Sequence, residues 1–166
     1  MLQLDTDATV LILGVGNTLR SDDGIGVRVT AALNACDDDS LRRRGIHICD
    51  GGTLGLSLLP KLEMTNAIIV VDAADIGAEP GTVRSFEGEA MDAQLGSRKR
   101  TAHEVALADL MAAARLLGQE PAHRALVAIQ PGSTDWGAEP SAVVAAAIPE
   151  ACRAVFSLLD RWNHDR

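Results

Sequence analysis

The chain has 166 residues and a formal net charge of −8; 47% of its residues are hydrophobic, but only 2% are aromatic. This length fits a single domain, which we expect to span residues 1–166, with a core built from aliphatic side chains. The acidic balance argues against a nucleic-acid partner, because contacts to phosphates need clustered Lys and Arg side chains.

The three cysteines are too few and too scattered for a disulfide framework or a CxxC metal site. We expect them to be ordinary reduced thiols, as in a cytosolic protein. Residues 1–9 lack the basic and apolar regions of a signal peptide. The apolar runs are far shorter than the ~20 residues of a membrane span. We therefore expect a cytoplasmic protein without a membrane partner. The low aromatic content offers no obvious hot-spot patch, which favours a monomer.

The first half of the chain alternates apolar runs with turn residues. Its first run ends at Gly14 and is typical of a strand buried on both faces of a parallel sheet. The predicted elements are a strand over 10–13, a helix over 24–35, a strand over 45–49 ending at Asp50, a turn over 51–53, and a helix from Thr53 to Leu62.

The second half contains the clearest strand, residues 67–71, with Asp72 at its carboxyl end. Residues 82–86 follow too closely for a helical crossover, so we predict an antiparallel strand there. The remaining predicted elements are a polar loop over 87–100, a helix over 101–117 with Thr101 and Glu104 as its capping box, a strand over 124–129, a loop over 130–140, and a helix over 141–162 that Pro149 kinks or divides.

Strands separated by helices predict a three-layer α/β/α domain with a mostly parallel sheet. In such sheets the ligand crevice lies beyond the carboxyl ends of the strands. The loops after residues 14, 50, 72 and 129 are therefore the candidate positions for a functional site.

A glycine pair after the first strand invites a dinucleotide-binding interpretation, which the following residues argue against. The third glycine of GxGxxG is replaced by Leu19, and Asp22 and Asp23 would repel a pyrophosphate. The two acids lie at the start of a helix, so their simplest role is to cap this helix and to interact favourably with its dipole. The glycines also permit a tight turn that brings both acids over the end of the sheet.

Three residues that are distant in sequence form the main candidate site. Asp23 follows the first strand, Asp72 ends the third, and His103 begins a helix at a position that favours a neutral imidazole. Two carboxylates and one imidazole make an open divalent-cation site that suits nickel, zinc or manganese. Taken singly, each residue also has a structural explanation: a helix cap, a turn residue or a surface histidine.

The motifs of the chain resemble those of the hydrogenase maturation peptidases. They are GVGNTLRSDDGIG at 14–26, DGGT at 50–53, VDAAD at 71–75, TAH at 101–103, IQP at 129–131 and WG at 136–137. The resemblance implies a five-stranded sheet in the order 2-1-3-5-4 with strand 4 antiparallel. It also places the metal-contacting positions of the family on Asp23, Asp72 and His103. The first position is often Glu in relatives, and Asp shortens its reach by one methylene.

The resemblance implies an endopeptidase, in a family often grouped with aspartic peptidases. Its members remove a C-terminal peptide from the large-subunit precursor of a nickel-iron hydrogenase. The nickel is carried by cysteine thiolates of that precursor, so no permanently bound cofactor is expected. Two loops, residues 98–100 and 132–137, are candidates for gripping the tail. The alternatives are a non-hydrolytic nickel-dependent assembly chaperone of the same precursor and a stand-alone hydrolase with its own tightly held metal ion.

Overall fold

The computed structural model describes residues 9–36, 40–53, 55–97 and 102–164, with residues 102, 103 and 164 described by their backbone alone. Within these ranges the strands form one five-stranded sheet in the order β2-β1-β3-β5-β4. The strands are β1 (Val10–Val15), β2 (Ile46–Gly52), β3 (Ala67–Ala73), β4 (Val83–Glu87) and β5 (His123–Ile129). Only β4 runs antiparallel to its neighbour among the paired strands. The predicted order and direction are confirmed.

Helices cover both faces of the sheet, which confirms the three-layer architecture. One face packs against α1 (Ile25–Cys36) and α7 (Ile148–His164), and the other against α4 (Glu89–Leu95) and α5 (Ala102–Leu116). The short helices are α2 (Ser40–Arg43), α3 (Leu59–Leu62) and α6 (Ala142–Ala145). The two core clusters consist almost entirely of aliphatic side chains, as the composition predicts.

The alternation of side chains along β3 supplies both core clusters. Ile69 and Val71 face α1 and α7, whereas Ile68 and Val70 face α4 and α5. Every residue of β1 and of β3 is buried. A strand covered on both faces reads as a continuous apolar run, which is why these two strands could be recognised from the sequence.

The prediction of a polar loop over residues 87–100 is wrong for the part that the structure describes. Residues 89–95 form α4, which begins after Gly88 in the left-handed conformation (φ 54°). Met91 and Leu95 lie one helical turn apart and are buried against the sheet. This apolar pair is enough to dock a polar helix. Residues 98–100, a predicted tail-gripping loop, lie outside the described residues.

Two further elements differ from the predictions, and one agrees. Strand β2 continues through Asp50 to Gly52, where a turn was expected, because its last residues still pair with β1 across a register irregularity. The helix expected to run to Leu62 divides into a 3-10 segment, Gly55–Leu58, and α3, which has Pro60 in its first turn. The C-terminal helix is divided into α6 and α7 just before Pro149, one of the two outcomes expected there.

The stretch Ala142–Asn163 is long and apolar enough to cross a membrane, judged by length and composition alone. A core helix of a soluble protein satisfies the same test. Here Ala151, Val155 and Leu158 of this stretch pack into the core on the α1 face of the sheet. The stretch is therefore weak evidence for a membrane span.

Candidate active site

Gly26 allows α1 to lie directly against the carboxyl ends of β1 and β3. A Cβ atom here would lie 2.1 Å from the carbonyl oxygen of Val71 and 2.4 Å from that of Val15. No side chain fits at such distances from the backbone. The close approach holds the 3-10 turn Ser21–Gly24, which leads straight into α1, at the rim of the sheet.

Asp23 lies within this turn and is only 3% exposed. Its Oδ2 accepts a hydrogen bond from the backbone N–H of Asn17 at 3.1 Å. Gly16 has a φ of 129°, and a Cβ atom added to it would lie 1.9 Å from the carbonyl oxygen of Asp23. The glycine-rich loop is therefore folded around an acidic residue, and a pyrophosphate in this loop would meet a carboxylate.

Asp72 lies near the end of β3 and is 1% exposed. Burial raises the pKa of its carboxyl group well above the usual value, and the negative charges of Glu104 and Asp23 raise it further. The backbone N–H of Ala73 opposes this shift only in part. Because the charge of Asp23 acts on Asp72, the two predicted site residues lie within electrostatic range of each other at the rim of the sheet.

Glu104 is a further acidic residue at this place, in addition to the residues predicted from the sequence. Although its spacing from Thr101 predicts a capping box, Glu104 is 9% exposed, and among the neighbouring charges it has the largest effect on the pKa of Asp72. A signal was present in the sequence: Glu104 precedes Leu107 and Met111 by three and seven residues, and both are buried. The helical period therefore placed Glu104 on the inward face of α5.

His103 is the second residue of α5, next to Glu104 in the first turn of that helix. Its side chain lies outside the described part of the structure, as does Thr101, the predicted N-cap. The structure thus brings Asp23 and Asp72 together and places the backbone of His103 beside a residue whose charge acts on Asp72. The role of its imidazole in binding a metal remains a prediction.

The side chain of Asp22 does not cap the helix that it precedes, because its hydrogen bonds go to the loop after β5. Instead it is fully buried, and its carboxylate accepts hydrogen bonds from three backbone N–H groups. The donors are Gly132 (2.8 Å), Ser133 (2.9 Å) and Ser141 (2.6 Å), and the Ser141 hydroxyl adds a fourth bond (3.0 Å). Asp22 therefore fixes the loop that follows β5.

The electrostatic state of Asp22 is opposite to that of Asp72. Burial alone would raise the pKa of the Asp22 carboxyl group, but the hydrogen bonds from Ser133, Ser141 and Gly132 hold it below its usual value. Asp22 is thus a charged structural anchor. Asp72 is a carboxylate whose ionised form is disfavoured by its surroundings.

The other strand-end loops are fixed by local hydrogen bonds. Asp50 accepts a bond from the backbone N–H of Gly52 at 2.8 Å. Gln130 follows β5, and its Oε1 accepts bonds from the backbone N–H groups of Ile76 (2.8 Å) and Ala78 (3.3 Å). These contacts hold the loops after β3 and β5 side by side, so the rim around Asp72 has a defined shape.

The described acids do not by themselves form a complete metal site. Within the ranges that the structure describes, no group of three His, Cys, Asp or Glu residues is placed to hold an ion. The two buried carboxyl groups at the rim still offer hard oxygen ligands to a cation that favours their ionised forms. A divalent cation at this position needs further ligands, either from His103 or from a partner that delivers the ion.

Comparison with known proteins identifies the family. The model of the hydrogenase maturation protease family matches residues 27–158. The hydrogenase expression/formation protein HupD of Rhodobacter capsulatus is 35% identical over 155 residues, which cover 93% of this chain and 72% of that protein.

Solved structures agree. The hydrogenase maturating endopeptidase HybD of Escherichia coli is 32% identical, with a TM-score of 0.82 over 92% of this chain and 93% of that one. A [NiFe] hydrogenase maturation protease of Thermococcus kodakarensis is 28% identical, with a TM-score of 0.70 over 90% and 98% of the two chains. The fold and the sequence thus lead to the same conclusion: this chain belongs to the hydrogenase maturation protease family and is a hydrolase of peptide bonds.

Proposed function

We propose that this protease removes a C-terminal peptide from the nickel-loaded large-subunit precursor of a nickel-iron hydrogenase, and that it does so as a cytoplasmic monomer. The observation that carries the proposal is the buried pair Asp23 and Asp72, with Glu104 beside it. Three acidic side chains in one low-dielectric place repel one another. A cation supplied by the substrate relieves this repulsion, which links recognition to the loaded state of the precursor.

In the proposed complex, Asp23, Asp72 and His103 complete the coordination of nickel that the precursor already holds. Carboxylate and imidazole are suitable ligands for this ion. Their contacts to nickel fix the neighbouring scissile peptide at the rim of the sheet. The protease then needs no metal of its own, and loaded precursor is preferred because only it offers the ion.

Hydrolysis requires that a water oxygen bond to the scissile carbonyl carbon and that the C–N bond break. One water proton passes to a base at the site and then to the departing amine. Nickel held by the substrate would polarise the carbonyl or activate the water, or a carboxylate of Asp23 or Asp72 that does not bind the ion would accept that proton as the general base. The products are the shortened subunit and a free peptide.

The test is to mix the protease with nickel-loaded and with nickel-free precursor and to measure the precursor mass. We expect a mass loss equal to the C-terminal peptide from the loaded form and none from the empty form. Complex formation without mass loss would instead support the assembly chaperone. Equal cleavage of both forms would contradict recognition through nickel.

A second measurement addresses the stand-alone hydrolase. Elemental analysis of the purified protease is expected to find well under one nickel, zinc or manganese ion per chain. A stoichiometric ion that survives dialysis against a chelator would contradict a site completed by the substrate.

A further inference from the structure

The loop after β5 is bonded along its length to the segment that carries Asp23. The Ser21 N–H donates to the Gly137 carbonyl at 2.8 Å, and the Gly137 N–H donates to the Leu19 carbonyl at 3.0 Å. Arg20 Nε donates to the Thr134 carbonyl at 3.0 Å. Together with the four bonds to Asp22, these contacts make residues 132–141 a rigid extension of the active-site turn.

The junction is held in a conformation that isolated residues avoid. Ser21 has a φ of 47°, the only positive value at a non-glycine residue in the described ranges. Its hydroxyl donates to the Asp135 carbonyl at 3.0 Å. Gly137 lies so close that an added Cβ atom would be 2.6 Å from the Ser21 hydroxyl oxygen. Such strained positions persist when the surroundings over-determine them, and they cluster at functional sites.

This rigid loop presents a tryptophan to solvent. Trp136 is 78% exposed, in a chain that has only two tryptophans, and the other, Trp162, is buried in the core. The guanidinium of Arg20 lies over the Trp136 ring, with its carbon 5.7 Å from the ring centroid. Leu19, next to Arg20 and bonded to the same loop, is 60% exposed.

We propose that Leu19, Arg20 and Trp136 form a docking surface for the folded body of the large-subunit precursor, and that Trp136 is its main anchor. The inference rests on the proposed function and adds a second point of contact, outside the nickel and the scissile peptide. We name these three residues the Trp136 surface.

The Trp136 surface adjoins the active site, and this position identifies the partner that binds it. Leu19 and Arg20 of the Trp136 surface belong to the same segment, residues 19–23, as Asp23. Asp22 accepts hydrogen bonds from Gly132 and Ser141, which lie on either side of Trp136 in the loop. A protein that brings nickel to Asp23 therefore covers the Trp136 surface as it docks. A short free peptide could bind at Asp23 without contacting Trp136, so an ordered, exposed tryptophan beside the site favours a larger partner.

The physical advantage is preorganisation. Tryptophan and arginine are enriched at the energetic centres of protein interfaces. Tryptophan offers a large contact area with only two side-chain torsions to fix. The bonds to Asp22 and Ser21 have already ordered the loop, so little conformational freedom is lost when a partner binds. The Trp136 surface thus contributes to affinity without changing the chemistry at Asp23 and Asp72.

The test compares Trp136→Ala, Trp136→Phe and wild type on nickel-loaded precursor, measuring kcat and KM separately. We expect Trp136→Ala to raise KM about 30-fold with kcat within about 2-fold, as for loss of an interface hot spot. Trp136→Phe retains an aromatic face and is expected to recover much of the affinity. Leu116→Ala is the matched control, because Leu116 is also highly exposed but lies at the far end of α5.

Thermal unfolding of each variant is measured alongside, and no change is expected because the Trp136 side chain is exposed. An unchanged KM for a folded Trp136→Ala would overturn the docking surface while leaving the proposed function intact. A loss confined to kcat would also overturn it, since Trp136 would then act on the chemistry. Failure of the wild type to cut loaded precursor would instead refute the proposed function itself.

Discussion

Asp22, Asp23 and Asp72 share one side-chain chemistry but differ in what surrounds them. Asp22 is met by four hydrogen-bond donors, which keep its carboxylate charged and hold a loop in place. Asp72 is buried near the negative charges of Glu104 and Asp23, and its pKa is raised. Hydrogen bonds hold the pKa of Asp22 below its usual value, whereas burial and the two negative charges raise the pKa of Asp72.

For Asp72→Asn we expect a more stable protein that no longer cuts its precursor. The raised pKa of Asp72 means that its contribution to stability is fully present below pH 3.8 and is lost as the pH rises through the folded-state pKa. Asn stays neutral at pH 7 and avoids this loss of stability. Urea unfolding at pH 7 should therefore give a higher free energy of unfolding for Asp72→Asn than for wild type. Processing should fall by about three orders of magnitude, the effect of losing about 4 kcal/mol of transition-state stabilisation.

Wild type and Asp72→Asn should converge in stability as the pH falls below 3.8, because Asp72 then becomes neutral in both the folded and unfolded states. A variant less stable than wild type at pH 7 would show that the charged form of Asp72 is satisfied by partners in the fold. That result would contradict a carboxylate held ready for a cation.

For Asp22→Ala we expect the opposite effect on stability. The substitution leaves three buried N–H groups without their acceptor, at a cost of about 3 kcal/mol. In the wild type the lowered pKa of Asp22 means that its stabilising effect is present above pH 3.8 and is lost as the pH falls through the folded-state pKa. Ser141→Ala removes one of the four bonds and should cost about 1 kcal/mol in urea unfolding. Equal stability of Asp22→Ala and wild type at pH 7 would exclude the anchor role.

At the scale of elements, the site depends on how closely α1 approaches the sheet. The turn that carries Asp23 is the start of this helix, and Gly26 sets its distance from β1 and β3. The same contact buries Ile25 and Val29 on the α1 face of the sheet. Packing and chemistry are therefore coupled through a single glycine.

Gly26→Ala should separate α1 from the sheet, because the new methyl group meets two backbone carbonyl oxygens. We expect a loss of about 3 kcal/mol in the free energy of unfolding, the upper range for overpacking. Processing should decrease as well, because Asp23 moves relative to Asp72. Gly96→Ala is the control, since Gly96 has an ordinary φ of −75°. Native stability and full processing in Gly26→Ala would refute this coupling.

The sheet was predictable because its central strands are long apolar runs, whereas α4 was not. The segment that contains α4 looks polar, and only Met91 and Leu95 mark an apolar stripe. Much of its support comes from distant residues: Asp92 of α4 pairs with Arg124 at 2.7 Å and with Arg115 at 3.1 Å. Those partners are 32 and 23 residues away, so no local pattern could show them.

At the scale of the whole molecule, the sheet topology brings together residues that are distant in sequence. The proximity of Asp23 and Asp72 was predictable because parallel strands deliver their carboxyl ends to one edge of the sheet. The inward direction of Glu104 follows from the helical period, but its effect on Asp72 and the hydrogen bonds between Asp22 and residues 132–141 needed the folded chain. Contacts over more than 100 residues depend on the crossing of complete elements, which spacing along the chain does not encode.

The most direct test of the central claim is the mass of nickel-loaded precursor after incubation with Asp23→Ala, Asp72→Ala, His103→Ala and wild type. Asp109→Ala is the matched control, because it removes an exposed acid from α5, the helix of His103. We predict that wild type and Asp109→Ala release the C-terminal peptide, whereas the other three variants stay folded and leave the precursor at full mass. Peptide release at the wild-type rate by any of those three would contradict a reaction centred on Asp23, Asp72 and His103.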